Sequence, residues 1–424
     1  MNIAIIGSGG REHALALAVS KSKKLSKLFC IPGNPGTKQI SKNVDIDLRN
    51  FDSVGSFCSE HKIDLVIIGP EQPLVDGLSD YLRGKNIKVF GPSSSAAKIE
   101  SSKSYAKDIM NAANVPNAKY KEFNSNDYFN VENYLKECEY PIVIKADGLA
   151  AGKGVIICHN FNEAINTFKS ISEEKIFGKA GNKILIEEFL TGEEASVFAI
   201  TDGENFITLP AAQDHKRIGE GDTGKNTGGM GAYAPTPIIT ESLRHEIEEK
   251  IIRPVIYQLK KEGNPFIGCL YAGLMITSDG LKVIEFNCRF GDPETQVILP
   301  LLEGDFLQLL YSAADGKLDK NAVWFNGGSA VCVVAASEGY PDSYQKGYEI
   351  SGLGITDSQI IIYHAGTIEK DGKIFSNGGR VIGVTAVLNE FDIRKARDKV
   401  YDALKNIKFK NMYFRKDIAV KALK

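Results

Sequence analysis

The first hundred residues alternate short apolar runs with amphipathic stretches, and this alternation constrains the fold more than any other feature. Ile3–Ile6, Leu28–Ile31, Leu65–Ile68 and Val89–Phe90 read as parallel strands. Arg11–Val19, Phe51–Lys62 and Leu74–Lys85 read as the helices between them. The pattern predicts an α/β domain built on a doubly wound parallel sheet. In such a sheet ligands bind at the carboxyl ends of the strands.

At 424 residues the chain is too long for one core. Gly91–Ser95 reads as a turn leading to a helix through Lys103–Ala113, which Asn114-Val115-Pro116 ends. Ile142–Lys145, Val155–Cys158, Phe161–Ile171 and Ile184–Phe189 suggest a small sheet-and-helix lobe able to move as a lid. A larger unit carries Ala195–Ile200, Phe206–Ala212, a helix Glu241–Lys261, and strands Phe266–Thr277 and Leu281–Asn287. After a linker at Asn326–Ser329 come strands Ala330–Ala336, Ile360–Tyr363 and Val381–Val387 and a helix Asp392–Asn406. The expected parts are 1–101, 102–190, 191–327 and 328–424.

A net charge of −2 gives no electrostatic case for nucleic acid or an anionic membrane. No apolar run reaches the ~18 residues of a membrane span. MNIAIIGSGG breaks at once into glycine and reads as a first strand and turn, not a secretory signal. Seven scattered cysteines without a CxxC pair fit a reduced, cytoplasmic protein.

Lys282–Gln296, KVIEFNCRFGDPETQ, carries the sharpest chemistry. Period-two alternation places Glu285, Asn287 and Arg289 on one side of a strand. A carboxylate and an amide oxygen suit a hard metal ion that shares substrate phosphates, and a guanidinium suits an anion. Lys145–Gly154 sets Gly148, Gly152 and Gly154 around Lys153, with Lys145 ending the preceding strand. Two lysines on a glycine hairpin suit nucleotide phosphates, although no GxxxxGK[ST] loop is present.

Gly7–Glu12 opens a helix after the first strand, where glycines allow a phosphate to approach. A dinucleotide motif wants glycine at position 12, where Glu12 stands, and an acid after the second strand, which ends Cys30-Ile31-Pro32-Gly33. A tight turn explains the same residues equally well. Pro32–Thr37 and Gly69–Gly77 follow strands and should converge on the same ligand; ordinary turn chemistry is the alternative. Gln213–Arg217 and Asp222–Gly231 make a long polar loop. His215 has no partner at fixed spacing and is assigned no proton transfer.

Taken together, Gly9–Ala14, Gly69–Gly77, Lys145–Gly154, Gln213–Arg217, Asn226–Tyr233, Arg289–Gln296 (RFGDPETQ) and Arg415–Ile418 resemble the ATP-grasp superfamily and, within it, the glycinamide ribonucleotide synthetase family. The resemblance runs from the first strand almost to the end. It implies an N-terminal phosphosugar domain, an ATP-grasp lid and central domain, and a C-terminal α+β cap. It also implies an ATP-dependent ligase joining glycine to 5-phosphoribosylamine through glycyl phosphate, with Mg²⁺ or Mn²⁺. The expected protein is a cytoplasmic monomer with small-molecule partners only.

By the same resemblance, Lys103, Lys145 and Lys153 would contact nucleotide phosphates. Glu187 and Leu190 would read adenine, Glu194 would hold ribose, and Glu285 and Asn287 would bind the metal. Arg289, Lys153 and Asp214 are the expected catalytic residues. Arg289, Asp214 and the Gly228–Gly231 loop (Gly229, Met230, Gly231) would face glycine and its phosphate. Gly9, Gly10, Arg11 and Glu71 would lie toward phosphoribosylamine. Many superfamily members carry a further acid on the strand before the Glu-x-Asn strand; here it reads Tyr271–Met275, and Leu274 cannot bind metal. The number of protein ligands to a second metal ion stays open. The rival readings are another ATP-grasp carboxylate–amine ligase, a nicotinamide oxidoreductase, and a non-catalytic scaffold.

Overall fold

The computed structural model describes residues 1–149 and 154–423. Its N-terminal sheet is fully parallel, in the order Lys42–Asn43, Lys27–Pro32, Asn2–Gly7, Leu65–Ile68, Lys88–Phe90. The strands are continuously apolar because both faces are covered. Ala4, Ile6, Phe29, Ile31, Val66 and Ile68 enter one core. Their neighbours Ile3, Ile5, Leu28, Cys30, Leu65 and Ile67 enter another.

The central antiparallel sheet runs Phe206–Thr208, Glu193–Asp202, Ile267–Thr277, Gly280–Asn287. It contributes Val197, Ala199, Leu270 and Ala272 to the first of those cores and Phe198, Ile200, Cys269 and Tyr271 to the second. The N-terminal and central parts therefore share their hydrophobic interior. The lid is separate. Its sheet (Tyr120–Asn124, Lys183–Glu188, Ile142–Ala146, Val155–Cys158) and helices Tyr128–Glu137 and Phe161–Ser172 enclose a core of their own around Phe123, Leu135, Ile144, Phe168 and Ile186.

The C-terminal sheet centres on Ser329–Ser337, buried along its whole length. Arg380–Leu388 and Ile360–His364 lie to one side of it. On the other lie Gly231–Ala234 and Gln213–Asp214. Two strands from the 191–327 segment thus pair within the C-terminal sheet.

Three local elements differ from expectation. The stretch Leu74–Lys85 is split into helices Glu71–Val75 and Leu78–Gly84, because Gly77 adopts φ +94°, which breaks the helical path. The serine turn is itself the start of a helix, Ser94–Ser101, with the Ser93 hydroxyl accepting from the Ala96 N–H. The helical path Glu241–Lys261 contains a wider turn at Glu248–Ile252, just before Pro254, which cannot donate to the helix ladder. Among the described residues no helix is long and apolar enough to cross a membrane.

Candidate active site

A cleft of about 1800 Å³ opens where the four sheets meet. Glu285 and Asn287 line it from the last strand of the central sheet. That strand bulges: Gly273 pairs with Glu285 but Leu274 with Val283, leaving Ile284 extra. The Ile284 carbonyl accepts from Lys145 Nζ at 3.3 Å. Gly273 stands opposite Glu285, and a Cβ there would lie 3.1 Å from Glu285 Cγ. Leu274 points into the core, while Tyr271 and Met275 line the cleft.

Glu187 is buried and clamped between two buried lysines, Lys145 at 2.8 Å and Lys107 at 3.2 Å. Lys103 donates to the Gly148 carbonyl at 3.2 Å; burial lowers its pKa. Leu190 and Glu194 lie on the cleft wall. Lys153 lies outside the described residues. Lys216 sits at the centre, 2.9 Å from Glu194 and 3.5 Å from Glu285. Burial pushes the Glu285 carboxyl up, but Lys216, Lys145, Lys103 and Arg289 together hold it below its ordinary value. Asp214 also faces the cleft, and burial raises its pKa. Glu294 behaves likewise; it accepts from Ser196, whose hydroxyl also contacts Tyr271.

Several predicted site residues take other positions. Arg289 lies beyond the strand, which ends at Asn287, so it does not continue the alternation, although it still lines the cleft. Its guanidinium pairs with Glu71 at 3.3 Å and Glu100 at 3.0 Å, joining the central part to the N-terminal one. Glu71 and Arg11 do border the cleft. The glycines around them instead make room for a protein carboxylate. Glu12 folds back so that Oε2 accepts from Gly9 N at 2.6 Å and Oε1 pairs with Arg11 Nε at 2.6 Å. A Cβ on Gly69 would lie 2.1 Å from Glu12 Oε1, and one on Gly9 2.8 Å from Glu12 Oε2. Gly10 packs against Gln296 in the same way. The helix start expected to meet a phosphate is thus occupied by Glu12, and Asp292 accepts from Arg11 N. The Pro32–Thr37 loop is also drawn away, since buried Asn34 bonds the carbonyls of Ser8 and His364.

The glycine loop 228–231 divides. Gly228 borders the cleft and its carbonyl accepts from Arg380 at 2.6 Å. Gly229, at φ +109°, packs on Pro293. Met230 is fully buried in the C-terminal core, and Gly231 presses on the Cys332 carbonyl within the sheet. Neither lines the cleft; pairing of Gly231–Ala234 with Ser329–Ser337 turns them inward.

Family models match this architecture over most of its length, apart from residues 296–329 and the last three. Residues 1–100 match the phosphoribosylglycinamide synthetase N domain, 101–295 its ATP-grasp (A) domain and 330–421 its C domain. The chain belongs to the phosphoribosylglycinamide synthetase family. A relative in this family, the phosphoribosylamine–glycine ligase of Caldanaerobacter subterraneus subsp. tengcongensis, is 47% identical over 419 residues, 99% of each chain. That of Leptospira interrogans serogroup Icterohaemorrhagiae is 46% identical, spanning 100% of this chain and 99% of its own. The crystal structure of the Thermotoga maritima phosphoribosylamine–glycine ligase superposes with a TM-score of 0.86 at 33% identity, covering 99% of this chain and 100% of that one. The biotin carboxylase domain of Hydrogenobacter thermophilus 2-oxoglutarate carboxylase shares the fold at 16% identity, with a TM-score of 0.75 and coverage of 97% and 91%.

Within this synthetase cleft, sequence reasoning overlooked Lys107, Lys216, Glu100 and Arg380. Lys216 stood in a recognised block, but no local pattern tied it to Glu285, 69 residues away. Arg380 comes from the C-terminal sheet and bonds the Asp292 carbonyl at 2.6 Å. Only the docking of that sheet brings it to the cleft.

Proposed function

We propose that the chain joins glycine to 5-phosphoribosylamine with cleavage of ATP, giving glycinamide ribonucleotide, ADP and phosphate in purine synthesis. The observation that carries this reading is the cluster of Lys103, Lys145 and Lys216 around Glu285 and Asn287, in a cleft of a synthetase-family chain.

A glycine carboxylate oxygen attacks the γ-phosphorus of ATP, and the bond to the β–γ bridging oxygen breaks to release ADP. The amine of phosphoribosylamine then attacks the carbonyl carbon of glycyl phosphate. The carbon–oxygen bond to phosphate breaks and the nitrogen loses a proton. Phosphoryl transfer of this kind depends on positioning and charge neutralisation more than on covalent catalysis. Lys103 and Lys145 hold the phosphates, joined by Lys153 in the lid. Leu190 and Glu187 border the adenine end, and Glu194 the ribose. Lys216 lies between the nucleotide carboxylates and the glycine end, and Arg289, fixed by Glu71 and Glu100, presents a guanidinium toward the anionic glycine. Asp214, its carboxyl raised by burial, is suited to hold the proton lost from the amine.

Glu285 and Asn287 would hold Mg²⁺ or Mn²⁺. Their oxygens are hard donors, and Glu285 is kept ionised by four cations. Among the described residues no group of three His, Cys, Asp or Glu forms a metal cage, which fits an ion that takes substrate phosphates as its remaining ligands. Such an ion, when bound, offsets the charge of the transferring phosphoryl group. In this reading the enzyme is a cytoplasmic monomer acting on small molecules.

The test is ADP release measured with each substrate omitted in turn. Release that requires both glycine and phosphoribosylamine, with glycinamide ribonucleotide detected by mass, is the expected result. Release unchanged without phosphoribosylamine would refute the reading.

A further inference from the structure

The loop that carries Lys216 is held by more than its own sequence. Residues 217–226 form a hairpin (Arg217–Gly219 with Thr223–Asn226), and the carboxy-terminal segment wraps it. Arg415 is 1% exposed, and its Nη1 donates to the Arg217 carbonyl at 2.9 Å and to Asp222 at 2.8 Å. Its Nε and Nη2 fork onto Asp417 at 2.8 and 2.7 Å. Asp417 in turn accepts from Gly221 N at 2.8 Å. The Tyr413 hydroxyl donates to the Ile218 carbonyl at 2.8 Å. Ala419, in the left-handed region at φ +64°, gives its N–H to buried His215 Nε2 at 3.1 Å. Lys421 pairs with Asp222 at 2.5 Å.

These contacts fall on both neighbours of Lys216. His215 is gripped from one side by Ala419, and Arg217 from the other by Arg415. The Lys216 carbonyl is fixed as well, accepting from Thr227 N and Oγ1 at 2.8 Å each. A lysine stem has four freely turning bonds, so its ammonium is placed only as well as its backbone is. Here the backbone is immobilised, and the ammonium lies between Glu194 and Glu285.

We propose that Arg415 is a positioning residue for the ligase reaction: through the hairpin it sets Lys216 against the transferring phosphoryl group, making the carboxy-terminal clasp part of the catalytic machinery. This rests on the function proposed above. The competing explanation, a clasp that merely stabilises the fold, makes different predictions. A loosened Lys216 weakens turnover more than nucleotide binding, and the effect vanishes once Lys216 itself is removed.

The experiment compares Arg415→Lys, Lys216→Met and the double variant in the full chain. Lysine keeps the charge but cannot reproduce the fork onto Asp417 together with the Arg217 and Asp222 contacts. The expected result is a loss in kcat of about tenfold or more, the scale of small misplacements at a reacting centre, with KM for ATP within about threefold. The double variant should be no slower than Lys216→Met alone. A kcat within about twofold of the unmodified chain, or losses that multiply in the double variant, would overturn the proposal. Should Arg415→Lys not fold, Tyr413→Phe removes only the bond to Ile218. It should lower kcat by about threefold without moving KM, and an unchanged kcat refutes the clasp.

Amide hydrogen exchange provides a readout that needs no turnover. Arg415→Lys should speed exchange over residues 215–227 and leave Asn2–Gly7 unchanged; equal protection in both proteins overturns the clasp. A wild-type chain that releases no ADP with glycine and phosphoribosylamine would instead sink the functional reading, while the exchange experiment still decides whether the clasp holds the hairpin.

Discussion

His13 and His364 meet where the amino-terminal helix Gly10–Ser20 touches the carboxy-terminal strand Ile360–His364, and among the described residues neither ring is paired with a carboxylate. His13 Nδ1 accepts the His364 backbone N–H at 3.0 Å, so its proton is on Nε2. Both residues are buried. Burial, with the charge of His364, lowers the His13 pKa from 6.5 to about 3, and burial lowers that of His364 to about 4. Both folded values lie below the unfolded one, so the stabilisation is complete above pH 6.5 and is lost as pH falls toward 4 and then 3. At pH 5, about 1.5 units below the unfolded value, each ring has cost about 2 kcal/mol, or about 4 kcal/mol for the pair relative to pH 8. Urea unfolding at the two pH values, followed by the fluorescence of Trp324, measures the loss. In His13→Gln, whose amide oxygen can still accept the His364 N–H, the pH-dependent part should shrink by about 2 kcal/mol. A variant that keeps the full dependence, or a His13 ring that titrates near 6.5 in the folded protein, would refute the reasoning.

Three further substitutions probe the cleft. Glu187→Gln strands the ammoniums of Lys107 and Lys145 in a buried site and should destabilise the protein by about 3–5 kcal/mol, read as a lower thermal midpoint; an unmoved midpoint would contradict the clamp. Gly69→Ala puts a methyl group on Glu12 Oε1 and should cost about 1–3 kcal/mol. Combined with Glu12→Ala it should cost little more than Glu12→Ala alone, and simple additivity would disprove the contact. Glu285→Ala should abolish ADP release while the thermal midpoint stays near that of the unmodified chain, because this side chain faces the cleft; near-normal turnover would remove it from the metal site.

The strands of the amino-terminal sheet were legible because both faces are buried, which writes them as unbroken apolar runs. Glu285 and Asn287 were legible because two polar side chains at strand spacing have no place in a core. Glu12 was misleading for a physical reason: the glycines that invite a phosphate also admit a folded-back carboxylate. Choosing between the two requires Gly69, which is 57 residues away and reached only by strand pairing. Met230 was misplaced because a glycine-flanked methionine reads as loop until its neighbours pair with Ser329–Ser337. Arg289 was assigned a direction by extending the alternation two residues past the true end of the strand. The position of Lys216 could not be read at all, since the segment that clasps its hairpin follows it by some 200 residues.

The lid's private interior has a mechanical consequence. A body that keeps its oily residues to itself can rotate against its neighbour without wetting them, so the work of opening falls on a few polar links. Those links include Lys145 to the Ile284 carbonyl, Lys282 to Glu188, Asp147 to Ser102 and Ser104, Lys103 to the Gly148 carbonyl, and the buried pair of Lys107 with Glu187. The part-exposed ones can be exchanged for water at small net cost, so the buried Lys107–Glu187 pair is the link that resists such a rotation most.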